Sequence, residues 1–448
     1  MQIKPDWHLL QFLESSDNLR NSIDRHHGWR PSDARAREIA ACLRQGRLFY
    51  LAGAESPIDI SPLQFFYGMV AFAKALTLSC DRTKSLSSLV PSHGIQDRSA
   101  SNSRLGELAT NIEGAGTLAE FNDVVASRNR LCYFDVHFHP QTFVIPCADS
   151  AAISGLRLTF KDVLSRIPGM EGLYAATTSE LPNTASVTFQ APSFVENKWT
   201  IRIDDSTRYD GRDSLRAIAE EWRARFPFLR GWRVLEAQQA WGKSIIQFVN
   251  VTPDGDDLAE GGLIEAGGAF IAPPESLHIG RFDDIQQYLD PIAGGFSGGS
   301  YAIAPLQGFH LSEYTLHYAA LFMLSSVVRY RPQTWMHVLS RATTQERPAD
   351  DSMLALVELL LGRNQHEIRK HLATAVGDFR VRVDGDGSNG EFAGDPVRDL
   401  QSWTGCIWIC PDCRPYVAPI GGSGDLCNLS ATFHGNSSSM RLTLWSAM

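Results

Sequence analysis

Two stretches of this chain are apolar almost all the way round a helix, and they lie toward opposite ends of it. The first, PLQFFYGMVAFAKALTLSC, follows Ser61 and opens on Pro62, a residue suited to a first helical turn because the N–H it lacks would have no partner there. The second is Ser312–Trp335, SEYTLHYAALFMLSSVVRYRPQTW. Pro332 disfavours helical geometry at Arg331, so this helix is expected to end near Tyr330, with Arg329 and Arg331 at its C-terminal carbonyls, where cations are favourable. Ser325, Ser326 and His317 interrupt it too often for a membrane span, and no other segment reads as long and apolar enough to be one. A helix that is apolar all round is normally a core helix.

Around these two runs the pattern changes several times. SDARAREIAACLRQG, with Ser32 as N-cap and Gly46 as stop, predicts a helix that packs on the Pro62 helix. A polar Ser, Asn and Gly-rich stretch follows, read as a long loop or flap with a short helix over Thr117–Ala126. From Leu131 the texture turns to strands: CYFDVHFH, SVTFQA and KWTIRID alternate apolar and polar positions. Leu215–Phe226 reads as a helix, and GWRVLEAQQAWGKSIIQFVNV has mixed character. Past Pro305 helices return over Ser312–Tyr330, Thr334–Ser340, Asp351–Leu361 and Gln365–Val376. From Asp384 the chain becomes Gly, Ser, Cys and Trp-rich, without periodicity.

The expected fold class is therefore α+β and predominantly helical. A helical part over 1–130 and another over 311–383 form the core, with a strand-rich middle over 131–310 and an irregular tail over 384–448.

Composition narrows the class more than the function. At 448 residues, 44% hydrophobic and 20% charged, the chain is long enough for one large core or several domains. A net charge of −9 and a pI near 5.8 argue against an overall basic surface, so nucleic-acid binding would need a local positive patch. The N-terminus lacks the basic, apolar and small-residue succession of a secretion signal. The 8 cysteines are spread over a chain far larger than a disulfide mini-domain. The expectation is a cytoplasmic protein with reduced thiols and no membrane partner.

The pairing of PLQFFYGMVAFAKAL with SEYTLHYAALFMLSSVVRYRPQTW, followed by the amphipathic LALVELLLGRNQHEIRKHL, resembles the YaaC-like family of bacterial proteins. The matching positions are Pro62, Tyr67, Gly68, Lys74, the His93-Gly94 pair, His317, Ser325, Arg329, Tyr330, Pro332 and Trp335. The resemblance spans most of residues 35–376 and implies a bacterial origin but no settled reaction.

Candidate chemistry comes from a few constellations. Helical ribonucleases of the HEPN class use an Arg, four to six residues and then a His, the Arg stabilising a phosphate oxyanion while the His moves a proton. Arg20–His26, Arg20–His27, Arg130–His137 and Arg331–His337 have that spacing, about as many pairs as this composition yields by chance. Arg331–His337, beside Arg329 and Trp335, is the pair with the best context, and a capped helix end with stacked Arg and Trp is the competing account. Cys406, Cys410, Cys413 and Cys427, with His434, could ligate a structural zinc. Asp135, His137 and His139 could form a small metal site on one strand. Gly295-Phe296-Ser297-Gly298-Gly299 matches the nucleophile-elbow pattern, but the strand and helix such an elbow needs are not evident. Tyr67, Lys74, His317 and Tyr314 are polar groups on the two apolar helices and form either a structural network or the floor of a ligand pocket.

Two functions are thus expected to compete. One is a protein that binds a partner protein or small ligand, with homodimers possible and no cofactor firmly implied. The other is a HEPN-like, metal-independent ribonuclease, a toxin or antiphage effector, with Arg331, His337 and Arg329 at its site.

Overall fold

The computed structural model describes residues 7–126, 130–134, 140–144, 147–190, 200–205, 215–226, 229, 232–240, 243–250, 264–266, 269–271, 301–340 and 351–377. Residues 1–380 form one compact unit; the other, 381–448, lies outside the described residues.

The chain begins with two short helices, α1 (His8–Leu13) and α2 (Ser16–His27), and a long helical hairpin, α3 (Asp33–Glu55) and α4 (Ser61–Cys80). The Ser32 side chain caps α3 by accepting from the Arg35 N–H at 3.3 Å. The helix does not stop at Gly46, as the sequence suggested, but runs on to Glu55. Gly46 serves packing instead: a Cβ there would collide with the Phe72 ring of α4, and one on Gly68 would strike the Tyr50 ring and come within 3.1 Å of the Gly46 carbonyl oxygen. The two helices touch backbone to backbone at this crossing. By length and composition α4 is apolar enough to cross a membrane, which corrects the sequence reading, yet 72% of that stretch is buried inside this fold.

The region after α4, read from sequence as a loop or flap, contains β1 (Ile95–Asp97), β2 (Ala109–Ile112) and α5 (Thr117–Ala126). Strands this short give no readable alternation. With β5 (Arg157–Thr159) they make a three-stranded antiparallel sheet, order β1-β2-β5.

In the middle region come β3 (Arg130–Phe134), β4 (Pro140–Val144), α6 (Ser150–Ile153), β5 (Arg157–Thr159), α7 (Phe160–Leu164), α8 (Glu171–Thr178), β6 (Thr184–Gln190), β7 (Thr200–Asp205) and α9 (Leu215–Arg225). They are followed by β8 (Trp232–Ala240), β9 (Lys243–Asn250), β10 (Ile264–Ala266), β11 (Ala269–Ile271) and β12 (Tyr301–Ile303). The larger sheet runs β10-β11-β8-β9-β7-β6-β3-β4, with β12 also paired to β6. Among the described residues its one parallel pair is β3 with β6. The stretch of mixed character resolves as the β8–β9 hairpin, whose register shifts between Val234 and Glu236.

The chain then returns to the helical core as α10 (Glu313–Tyr330), α11 (Pro332–Leu339) and α12 (Asp351–Val376). Ser312 caps α10, accepting from the Thr315 N–H at 3.1 Å, and Pro332 opens α11 at its first turn. The two helices expected over Asp351–Leu361 and Gln365–Val376 are one continuous helix. Helices α10 and α12 both pack on α4, while α7 packs on α10 and α8 on α12. Tyr50, Phe66, Phe72, Phe121 and Tyr318 are fully buried at the centre. The architecture is α+β and mostly helical, with a core drawn from both ends of the chain.

Candidate functional site

Three basic side chains from three separate elements, Lys74, His93 and Arg329, lie close enough at the α4–α10 pair for the charges of Lys74 and Arg329 to act on the His93 ring. Tyr67 and Lys74 are seven residues apart, so α4 presents them on one side, two turns from each other. The last turn of α10 supplies Arg329, and the loop before β1 supplies His93. Gly94 shapes that loop: its φ is +73°, and a Cβ there would meet the Leu118 amide nitrogen at 2.9 Å. The His93 carbonyl accepts from the Leu118 N–H at 3.0 Å and from the Tyr318 hydroxyl at 3.1 Å. Its ring meets Phe66 and Phe322 edge to face, at 5.0 and 6.2 Å between centroids.

Arg329 is held but underused as a donor. Its Nε donates to the Ser325 carbonyl at 3.1 Å, whereas Nη1 reaches the Tyr67 hydroxyl and Nη2 the Ser325 hydroxyl only at 3.4 Å, long for such bonds. The guanidinium also lies over the Tyr330 ring at 4.8 Å and the Tyr67 ring at 5.9 Å. Burial pushes the His93 imidazole below its ordinary pKa, and the charges of Arg329 and Lys74 push it further the same way. Among the described residues, no carboxylate is within ion-pair reach of Lys74, His93 or Arg329. Glu38, which like Lys74 acts on the buried Cys42 thiol, accepts the Leu86 N–H at 3.3 Å.

A second polar constellation lies inside the core. The Tyr50 hydroxyl donates to Asn364 Oδ1 at 2.6 Å, and Asn364 Nδ2 lies 3.1 Å from His317 Nδ1. His317 Nε2 is 3.5 Å from Glu313 Oε1, with both side chains almost wholly buried. Since the Asn364 oxygen is taken by Tyr50, its amide must donate to Nδ1, which leaves the ring proton on Nε2 facing Glu313. The four polar residues of the apolar helices thus separate. Tyr67 and Lys74 face the basic cluster, His317 belongs to this internal network, and Tyr314 packs edge-on to Phe121 at 6.0 Å.

Arg331 is bound elsewhere. Its Nη1 donates to the Ala100 carbonyl at 2.6 Å and its Nη2 to the Ser99 carbonyl at 2.9 Å, while Nη2 pairs with Asp97 at 3.3 Å. It therefore fastens the turn after β1 and leaves the carbonyls of its own helix to Arg329. His337 sits in the last turn of α11. Arg331 itself has non-helical backbone at the junction of α10 and α11 (φ −134°, ψ 56°), and His337 lies about a turn and a half into α11. Trp335, between them, is buried and donates from Nε1 to the Asp59 carbonyl at 3.0 Å.

Of the other candidates, Arg20 donates to the Pro31 carbonyl at 3.1 Å, and Arg130 begins β3. Asp135, His137, His139, Ser297, Cys406, Cys410, Cys413, Cys427 and His434 lie outside the described residues. Among the described residues no cluster of His, Cys, Asp or Glu could hold a metal ion. Cys42, Cys80 and Cys147 form no disulfide; burial pushes Cys42 up to about 11 and Cys147 up to about 12, the reverse of what a reactive thiolate needs.

Sequence reasoning set His93 among the family positions without giving it a role, and it missed Asn364, Glu313 and Asp97 altogether. The only advance signal for His93 was the glycine beside it.

A family model described as "YaaC-like Protein" matches residues 8–358. No curated protein and no solved structure matches the chain significantly.

Proposed function

This chain belongs to the YaaC-like family, and we propose that it works by binding a ligand at the Tyr67–Lys74–His93–Arg329 face. The observation that carries the reading is that three half-buried basic groups gather there with no carboxylate among the described residues in ion-pair reach of them. Partly desolvated like charges repel each other and cost folding free energy. An arrangement of this kind is best accounted for by a bound group that offsets the charge.

The competing ribonuclease reading has less support. It needs Arg331 free to meet a scissile phosphate, while Arg331 is engaged by Asp97 and by two carbonyls. It also needs His337 beside that arginine, and no contact joins the two.

The test is native mass spectrometry of the full chain purified gently from cells, alongside Lys74→Met and Arg329→Gln. A small ligand carried by the wild-type chain and lost from both folded variants is the expected result. A ligand retained by both variants, or none carried at all, would remove this face as the binding site.

A further inference from the structure

The donors on this face define the ligand more narrowly than a general capacity for binding. The inference rests on the reading above and adds the chemistry: we propose that the Tyr67–Lys74–His93–Arg329 face takes a phosphomonoester dianion.

The first argument is a count of charge. Lys74 and Arg329 each bring a positive charge, and His93 can add a third when an anion stands beside it. A carboxylate would balance only one of them, whereas a phosphomonoester carries close to two negative charges at neutral pH.

The second argument is a count of hydrogen-bonding groups. Arg329 has two Nη nitrogens whose present contacts are both at 3.4 Å, free to tighten onto a better acceptor as a two-pronged clamp. The Tyr67 hydroxyl accepts from Arg329, so its own proton is available to donate. The Lys74 ammonium and the His93 ring have no hydrogen-bond partner among the described residues. Donors predominate, and among the described residues no carboxylate pairs with them. The terminal oxygens of a phosphomonoester dianion are all acceptors and match that set. Inorganic phosphate at neutral pH keeps a P–O–H donor, which no carboxylate here would receive.

The third argument concerns the ligand's other end. Tyr330 is 69% exposed and lies against Arg329, so an aromatic surface adjoins the charged one. An ester whose organic part carries a ring can stack there.

Protonation of His93 supplies an independent signature. The charged groups acting on its ring are Lys74 from α4 and Arg329 from α10, with Phe66 and Phe322 as its apolar neighbours. A dianion placed among them reverses the sign of the local field and favours the protonated ring. Binding then takes up a proton, and affinity falls as pH rises through the interval between the depressed value of the free ring and the raised value of the ring beside the dianion.

Isothermal titration of the full chain with adenosine 5′-monophosphate, glycerol 3-phosphate, inorganic phosphate and acetate tests this, with melting temperatures recorded for every variant. The expected result is that both esters bind at least about tenfold tighter than inorganic phosphate or acetate, the ring-bearing one most tightly. Lys74→Met and Arg329→Gln should each weaken ester binding about tenfold or more, and Arg44→Gln, an exposed change on α3, should not. His93→Gln should fold normally and abolish the proton uptake on ester binding, read as the change of binding enthalpy between buffers of different ionisation enthalpy. Acetate or inorganic phosphate binding as tightly as the esters would overturn the proposal, as would ester binding that is indifferent to Lys74 and Arg329. If neither ester binds while mass spectrometry finds a ligand lost with Lys74 and Arg329, the face binds something other than a phosphomonoester. If no such ligand is found and none of the four probes binds, both readings fall.

Discussion

The side-chain amide nitrogen of Asn364 lies 3.1 Å from Nδ1 of His317, and this one contact keys α12 to α10 deep in the core. The same amide group accepts from the Tyr50 hydroxyl at 2.6 Å, so α3 is tied in as well. Hydrogen bonds between buried groups contribute specificity because their directions admit few alternative packings, and leaving one unmade is expensive. Burial raises the Tyr50 hydroxyl well above its ordinary pKa despite the Asn364 bond, as expected where water has no access.

Replacing Asn364 by Leu keeps the volume but strands two buried polar groups, the Tyr50 hydroxyl and His317 Nδ1. At about 1–3 kcal/mol for each unsatisfied group, Asn364→Leu is expected to lose about 2–6 kcal/mol in urea unfolding. The double variant Asn364→Leu, Tyr50→Phe removes one stranded group and should recover part of that loss. A single variant as stable as the wild type would show that the network holds nothing together.

The α3–α4 crossing depends on two glycines. Gly68→Ala would drive a Cβ into the Tyr50 ring and to within 3.1 Å of the Gly46 carbonyl oxygen, which is backbone and cannot turn aside. Overpacking of this kind costs about 1–3 kcal/mol. Gly172→Ala, where nothing lies within 4 Å of the added carbon, is the matched control and should be neutral or slightly stabilising, since alanine favours a helix over glycine. Equal melting temperatures for the two variants would contradict the close crossing.

Binding and cleavage separate in a simple assay. Total RNA incubated with the purified chain in excess EDTA is expected to stay intact, with the wild type and with His337→Ala alike, because Arg331 is spent on the turn after β1. His337→Ala should also leave stability within about 0.5 kcal/mol, as is usual for a position without a buried partner. Metal-independent cleavage that vanishes in His337→Ala would instead support the ribonuclease reading.

What could be read in advance follows from how far each element depends on its own residues. Helices α4 and α10 were legible because their apolar character is continuous and their ends carry Pro62, Ser312 and Pro332. The length of α3 was not, because Gly46 looks like a stop until the Phe72 ring across from it is known. Nor were β1, β2 and β5, whose pairing is decided by partners distant in the chain. The candidate site divides along the same line. Tyr67, Lys74 and Arg329 stand out as polar residues in apolar helices. His93 reaches them only through a loop folded by Gly94, and Asn364 falls where the sequence suggested a break between two helices.

The Asp97–Arg331 pair makes the stability of this fold depend on pH in a definite direction. Burial raises the Asp97 carboxyl, but the Ser326 hydroxyl at 2.7 Å, the Ser99 N–H at 2.8 Å and the Arg331 charge together hold it below the usual carboxylate range. A group with a depressed folded-state pKa contributes stability above its unfolded value, near 4, and loses that contribution as pH falls through the lower, folded value. Asp97→Asn removes the charge and turns an N–H₂ toward Ser326 or Arg331, so it should cost about 1–2 kcal/mol at pH 7. That deficit should stay level from pH 7 to 5 and shrink below about 4, where the wild-type carboxyl begins to take up its proton. Urea unfolding of both proteins at pH 7, 5, 4 and 3.5 measures it directly. A deficit that grows as pH falls would mean that Asp97 is held above its ordinary range and that Arg331 does not fasten the turn through it.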